Sequence, residues 1–497
     1  MSRLVRALLP ATLAGALLAG CTVGPNYSRP PAPMTPTFKE AAGWTPSHPV
    51  DALDKGAWWS VFNDPVLDGL EQRVAISNQT VKQYEAAYRA AHEVVAEARA
   101  TFLPTLSVTG SAERVKGDTG VGTVGTTTGV GTGATTGTTT TTGTTTTGSS
   151  SPVNRYGAAL EAAWAPDLWG KIRRTVESDK ALAQASAADL ANIRLSAQAS
   201  LAEDYFDLRV LDEETRLYGD TVAAYQKFLR ITEGQVREGT QSRSAVLTAQ
   251  TQLYGAQSSL IAVGVSRAKM EHAIAILIGV GPADLTIAPA TLSRDIPVPA
   301  ADIPSTLLQR RPDVAAAERR MASGNALIGV AVSAYFPDLT LSGEYGFSGS
   351  NLSHLFNASN TLWSLGADAS ETLLDFGLRK AQVAQARAVY DGDVAVYRQT
   401  VLTALQGVED ELASLRIYQQ QQDVALKTEQ SAQEALKLDL DEYREGTIDY
   451  TTVITAQATL ENASLGVLTV LENRLEASVL LIENLGGGWT ATDLPKT

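Results

Sequence analysis

The feature that most limits the fold is a short motif that occurs twice, each time at the end of a very long helical pattern. Tyr443-Arg444-Glu445-Gly446-Thr447 is followed eight residues on by Thr455-Ala456-Gln457. Val236-Arg237-Glu238-Gly239-Thr240 is followed at the same spacing by Thr248-Ala249-Gln250. Gly is the usual residue where a helix turns into left-handed space at its C-terminus. Each copy therefore reads as the tip of a helical hairpin. Two copies mean an internal duplication.

The match extends in both directions. Ile278-Gly279-Val280-Gly281 ends one second arm and Leu485-Gly486-Gly487-Gly488 the other. Upstream, Asp167-Leu168-Trp169-Gly170-Lys171 corresponds to Asp375-Phe376-Gly377-Leu378-Arg379. Phe102-Leu103-Pro104 corresponds to Phe336-Pro337. Lys171 to Glu238 and Arg379 to Glu445 contain no Pro. At about 1.5 Å per residue each helix would run about 100 Å. Helices of that length need equally long neighbours, and a soluble coiled-coil rod is one fold that provides them.

The segments at the other end of each repeat point elsewhere. There the apolar period falls to two. Leu106, Val108, Gly110 and Ala112 alternate with polar residues; so do Leu339, Leu341, Gly343, Tyr345 and Phe347. Tyr156 to Trp164 and Trp363 to Ala369 show the same alternation. These predict strands at about 105–115, 155–165, 338–348 and 362–373, with aromatic residues near the ends of their apolar faces. That is the pattern of membrane-spanning β-strands. Four strands cannot close a membrane barrel, and an open edge in lipid leaves backbone groups unpaired. The strands must then be pooled between chains; three chains give twelve.

The N-terminus reads as a secretion leader. Arg3 and Arg6 precede a short apolar core, Leu8 to Leu18, and Leu18-Ala19-Gly20-Cys21 resembles a bacterial lipobox. Cys21 is the sole cysteine and the expected site of lipid attachment, with Thr22 after it favouring the outer membrane. The formal net charge is −14, and loss of the leader makes the mature chain two charges more negative. Binding to nucleic acid through charge is excluded. Between the first two predicted strands, about 117–151 is almost all Thr and Gly. Its Gly120-Val121-Gly122-Thr123-Val124-Gly125 satisfies a dinucleotide pattern, but without the strand, helix and acid that such a site requires. It reads as a flexible extracellular loop. His48, His92, His272 and His354 lack metal-ligand spacing. No catalytic residue, metal site or cofactor is expected beyond the lipid on Cys21.

Cys21-Thr22-Val23-Gly24-Pro25-Asn26-Tyr27, Trp58-Trp59 with Phe62 and Asp64, Arg310-Arg311-Pro312-Asp313-Val314 through Glu318, Ile328-Gly329 and Phe336-Pro337 together resemble the TolC-like outer membrane factors. Within them, the likeness is to the lipoprotein branch serving resistance-nodulation-division efflux pumps. The resemblance implies a homotrimer in the outer membrane. It also implies a twelve-stranded barrel, a long periplasmic α-helical barrel and a girdling equatorial domain. Its partners would be a periplasmic adaptor and an inner-membrane transporter, and its function that of a passive exit duct. A duct for protein secretion and an envelope-tethering lipoprotein are the alternatives. The expected divisions are a signal peptide (1–20), an N-terminal equatorial segment (21–65), a first repeat (66–279), an equatorial connection (280–312), a second repeat (313–486) and a tail (487–497).

By the same resemblance, Arg237, Gly239 and Thr240, with Arg444, Gly446 and Thr447, are adaptor-docking tips. The turn after Gly446 matches the constriction that closes the channel at rest. There the family commonly carries an Asp and, three residues on, an Arg; this chain has Thr455 and Ala458. Asp449, Tyr450, Thr451 and Thr455 are the expected gate residues.

Overall fold

The computed structural model describes residues 22–33, 35, 37–41, 57–116, 152–293, 296–297 and 310–495. The leader, Cys21, the Thr/Gly segment and much of the 280–312 connection lie outside these residues. Seven α-helices and four strands are present among them: α1 Pro65–Ser77, α2 Gln79–Ala100, β1 Thr105–Val115, β2 Val153–Trp164, α3 Lys171–Arg237, α4 Arg243–Leu277, α5 Pro312–Ser333, β3 Asp338–Gly349, β4 Thr361–Ser370, α6 Leu378–Glu445 and α7 Tyr450–Asn484. The chain divides into two compact units, one around the strands and one around the helices.

In the first unit the strands form one antiparallel sheet in the order β1-β2-β3-β4. Apolar residues share a face as the alternation predicts, and that face is bare: Val108 is 81% and Leu365 82% exposed. Trp169, just after β2, stacks on Phe336, just before β3, with ring centroids 4.8 Å apart. Its indole nitrogen donates to the Pro337 carbonyl at 2.8 Å. The last strand ends earlier than expected, at Ser370 rather than about 373. The cause is Arg379, which bonds the Glu371 carboxylate, the Thr372 carbonyl and the Asp375 carboxylate and draws that segment off the sheet. The Arg379 guanidinium foremost, with the backbone amides of Gly377 and Arg379, holds the Asp375 pKa down at about 2.

In the second unit, α3 and α6 run 67 and 68 residues without a break, about 100 Å each. Leu195 to Leu208 of α3 meet Trp58, Trp59, Phe62, α1 and Leu471 to Ile482 of α7 in one core. Val314 to Met321 of α5 meet Tyr397 to Leu415 of α6 and Ala477 to Leu485 in a second. The helical run from Pro65 to Ala100 is divided into α1 and α2 at Asn78. Asn78 breaks it because its amide donates to the Leu277 carbonyl at 2.8 Å while its Oδ1 caps Val81.

The duplication is visible contact by contact. Gln79–Ala100 and Pro312–Ser333 are both 22 residues long. Asn78 reaches the Leu277 carbonyl, and its twin Arg311 reaches the Asn484 carbonyl at 2.8 Å. Gly279 (φ +71°) lies against the Ser77 carbonyl and Gly486 (φ +96°) against that of Arg310, so neither leaves room for a Cβ.

The described residues between Gly24 and Glu40 cross the helices as a strap. Arg174 donates to Asn26 at 2.8 Å, Asn325 to the Pro25 carbonyl at 3.1 Å and Tyr27 to Glu318 at 2.7 Å. Further on, Arg29 donates to the Tyr397 hydroxyl, and the backbone amides of Lys39 and Glu40 both donate to Glu409. Gly24 touches Gly329 backbone to backbone.

Candidate functional site: the hairpin tips and the turn after Gly446

Both tips are built by one hydrogen-bond pattern. Gly239 (φ +77°) and Gly446 (φ +79°) occupy the left-handed position. The Gly239 amide donates to Val236 and the Thr240 amide to Gln235; the Gly446 amide donates to Tyr443 and the Thr447 amide to Glu442. This is the Schellman arrangement. The threonine hydroxyls add a second bond to the same carbonyls, at 3.0 Å in Thr240 and 2.8 Å in Thr447. That bond explains why Thr follows Gly in both copies.

Arg237, Gly239, Thr240, Arg444, Gly446 and Thr447 are all exposed. Arg444 pairs with Asp441 at 2.6 Å on the surface. Each tip thus presents an exposed Arg-Glu pair, Arg237 with Glu238 and Arg444 with Glu445, on a turn closed by its own hydrogen bonds.

Behind the tips the two hairpins are locked together. Val222, Tyr225 and Phe228 of α3, Ala249 and Leu253 of α4, Leu436 of α6, and Tyr450, Val453 and Ile454 of α7 form one cluster. Tyr443 donates to Gln235 at 2.8 Å across it. Tyr450 belongs to this cluster: its side chain is buried, with Phe228 and Tyr443 rings 5.9 and 6.0 Å away. Burial, with Tyr225 and Tyr443 nearby, pushes its phenol up to about 12. Its hydroxyl has no hydrogen-bond partner among the described residues. As an expected gate residue Tyr450 is thus placed inside its own protomer. An aromatic at the first position of α7 finds an apolar pocket between four helices, and burial there outweighs exposure.

Asp449 is the N-cap of α7, but its carboxylate makes no capping bond. Thr451 and Thr455 are exposed on one helical face. The Thr455 hydroxyl donates to the Thr451 carbonyl at 2.9 Å, and Thr459 repeats this onto Thr455 at 2.8 Å. With their protons committed to the backbone, Thr455 and Thr459 offer outward only methyl groups and acceptor lone pairs.

Sequence reasoning missed a band of carboxylates along α3, α6 and α7. Glu203, Glu411 and Glu472 are each pushed to about 7 and Asp204 to about 6, by burial first and neighbouring carboxylates second. Glu472 shares a hydrogen bond with Asp207. The acid pairs four residues apart, Glu203 with Asp207 and Glu472 with Glu476, were the available signal.

The model of the outer membrane efflux protein family matches residues 70–280 and 303–487. The chain is 27% identical over 494 residues to the probable efflux pump outer membrane protein TtgC of Pseudomonas putida, covering 98% of this chain and 96% of that one. It is 28% identical over 489 residues to the pyoverdine export outer membrane protein OpmQ of Pseudomonas aeruginosa, covering 95% and 96%. Among solved structures, the outer-membrane channel OprN superposes with a TM-score of 0.82 at 27% identity, over 94% of this chain and all of that one. The Campylobacter jejuni CmeC outer membrane channel does so at 0.83 and 21% identity, over 95% and 96%. No helix among the described residues is long and apolar enough to cross a membrane, and the exposed apolar face lies on the strands. Repeat, sheet and hairpins together place this chain in the outer membrane efflux protein family, as an outer-membrane efflux channel.

Proposed function

We propose that three copies of this efflux channel assemble into a passive exit duct. A periplasmic adaptor docks on the tips at Gly239 and Gly446, and an inner-membrane transporter supplies the compounds. The open four-stranded sheet carries this reading. Two unpaired edge strands with bare apolar faces are untenable in lipid, where each unpaired backbone group costs several kcal/mol. The helices support it independently. On α6, Val389, Val396, Ile417, Val424 and Leu438 are exposed, and on α4, Leu247, Tyr254 and Ile261 are exposed. Both sets fall on a seven-residue repeat, the spacing of a coiled-coil seam awaiting a partner helix. Lipid on Cys21 adds a second hold on the membrane.

Native mass measurement of detergent-extracted protein tests the assembly. A trimer is expected; a stable monomer with full strand content overturns it. Metabolic labelling with palmitate tests the anchor. Label on the wild type that is lost in Cys21→Ser is expected, with the barrel still inserted; an unlabelled wild type ends the lipoprotein reading.

A further inference from the structure

The two hairpins match, but the second lacks one acid. In the first, Asp212 on α3 joins two arginines. Arg209 donates to it at 2.9 Å, and Arg267, across on α4, donates through its Nε at 2.7 Å. The same arginines donate to the Ala288 and Ile287 carbonyls, and the Ala290 amide donates to Asp212 at 3.1 Å. One carboxylate thus pins both arms of the hairpin and the segment that crosses them.

Counted from the tip glycine, Arg416 stands where Arg209 does and Arg474 where Arg267 does, but Gln419 takes the place of Asp212. The contacts agree with the count. Ser464 of α7 donates to Glu429 of α6 at 2.7 Å, and the same antiparallel pairing, followed away from the tip, brings Arg474 beside Gln419. A neutral amide cannot hold two guanidiniums together. Arg474 turns to Gln422, and Arg416 turns to Glu40 of the strap. The Nε atom of each is buried and finds no acceptor among the described residues. In Arg267 that atom is the one that meets Asp212.

We infer that Glu40 is the positioning residue of the second hairpin. The strap supplies from outside the carboxylate that α6 lacks, and its seating is thereby coupled to the base of α6 and α7. A second difference between the hairpins points the same way. The backbone amides of Lys39 and Glu40 donate to Glu409 at 2.6 and 2.9 Å, and the matching position in the first hairpin is Ala202. The second hairpin has thus lost an internal acid and carries one for the strap. Glu409 and Arg416 lie two turns apart on α6, so the strap grips that helix at two points, while Phe38 is buried in the core shared by α5, α6 and α7.

The bearing on function rests on the duct reading proposed above. Arg474 lies near one end of α7, and Thr451 and Thr455 lie near the other. Releasing Glu40 frees the base of the hairpin, and the turn after Gly446 is displaced with it.

Hydrogen exchange on the full-length, detergent-extracted protein tests the coupling. Glu40→Gln keeps Phe38 and the bonds to Glu409, so the strap stays in place, yet exchange around Arg416 and Arg474 should quicken about tenfold. Gln419→Asp gives the hairpin an acid of its own, and in the double variant exchange should return to the wild-type rate. Gln421→Asp, on another side of α6, should not restore it. Exchange that quickens in the strap alone, or a double variant as fast as Glu40→Gln, overturns the inference. Planar-bilayer recordings supply the second arm. Glu40→Gln should raise the frequency of spontaneous openings, and Gln419→Asp should suppress them again. Unchanged openings beside quickened exchange overturn the link to the channel. A wild type that carries no current overturns the duct reading instead, and the exchange rates still decide the coupling.

Discussion

The Tyr443 hydroxyl donates to Gln235 Oε1 at 2.8 Å, tying the last turn of one 100 Å helix to the last turn of the other. It is a polar bond at the edge of an otherwise apolar cluster. A neutral hydrogen bond of this kind contributes about 1 kcal/mol. Tyr443→Phe should therefore raise hydrogen-exchange rates at the end of α6 about fivefold, by favouring local opening. Gln235→Ala should do the same, and combining the two should add little, because one bond is lost either way. Independent, additive effects would show that the pair does not act as a unit.

The buried hydroxyl of Tyr450 has the opposite character, since nothing described accepts or donates to it. Tyr450→Phe should leave thermal stability unchanged or slightly raised. Tyr450→Ala opens a cavity between four helices and should cost about 3–5 kcal/mol. Denaturation of the two variants side by side distinguishes packing from polarity. A large loss in Tyr450→Phe would mean that the hydroxyl has a partner in the assembled channel.

Thr451 and Thr455 are neutral, and the Thr455 hydroxyl spends its proton on the Thr451 carbonyl. Repeated around a threefold axis they would make neutral rings, without the charge-assisted bonds of an Asp–Arg pair. Closure of the resting channel should accordingly be insensitive to salt. Thr455→Asp should shift selectivity toward cations by adding three carboxylates to the pore. Planar-bilayer recordings across a range of ionic strength check both points. Unaltered selectivity would place Thr455 away from the constriction.

The carboxylate band titrates near neutrality. Glu203, Glu411 and Glu472 have folded-state pKa values raised from 4.5 to about 7. Between those limits the folded state holds more protons than the unfolded one, so stability falls as pH rises through the window. The melting temperature should climb as pH is lowered from 8 toward 6. Glu472→Gln, which removes one titrating group beside Asp207 and Glu476, should flatten that slope. A melting temperature that falls over the same acid range would refute the assignment.

Much of this architecture was legible because it is local and periodic. The two Gly-Thr tips, the Pro-free helices and the four alternating strands are each written in a run of neighbouring residues. The exceptions all depend on distant partners. Asn78 interrupts a continuous helical pattern because the Leu277 carbonyl arrives beside it. β4 stops at Ser370 because Arg379 gathers the following segment. Tyr450 follows an Asp at a turn, which suggests exposure, yet Phe228 and Tyr443 enclose it. The tip residues Gly239 and Gly446 were readable for the same reason that their backbone is self-sufficient.

The strap bears on the order in which the molecule can be made. Asn26, Tyr27, Arg29 and the amides of Lys39 and Glu40 find their partners at Arg174, Glu318, Tyr397 and Glu409, up to 370 residues further along the chain. A chain delivered N-terminus first has its earliest segment waiting, unseated, until α6 has emerged. Asn26, Tyr27 and Arg29 are thus among the first residues to appear and among the last to be folded in.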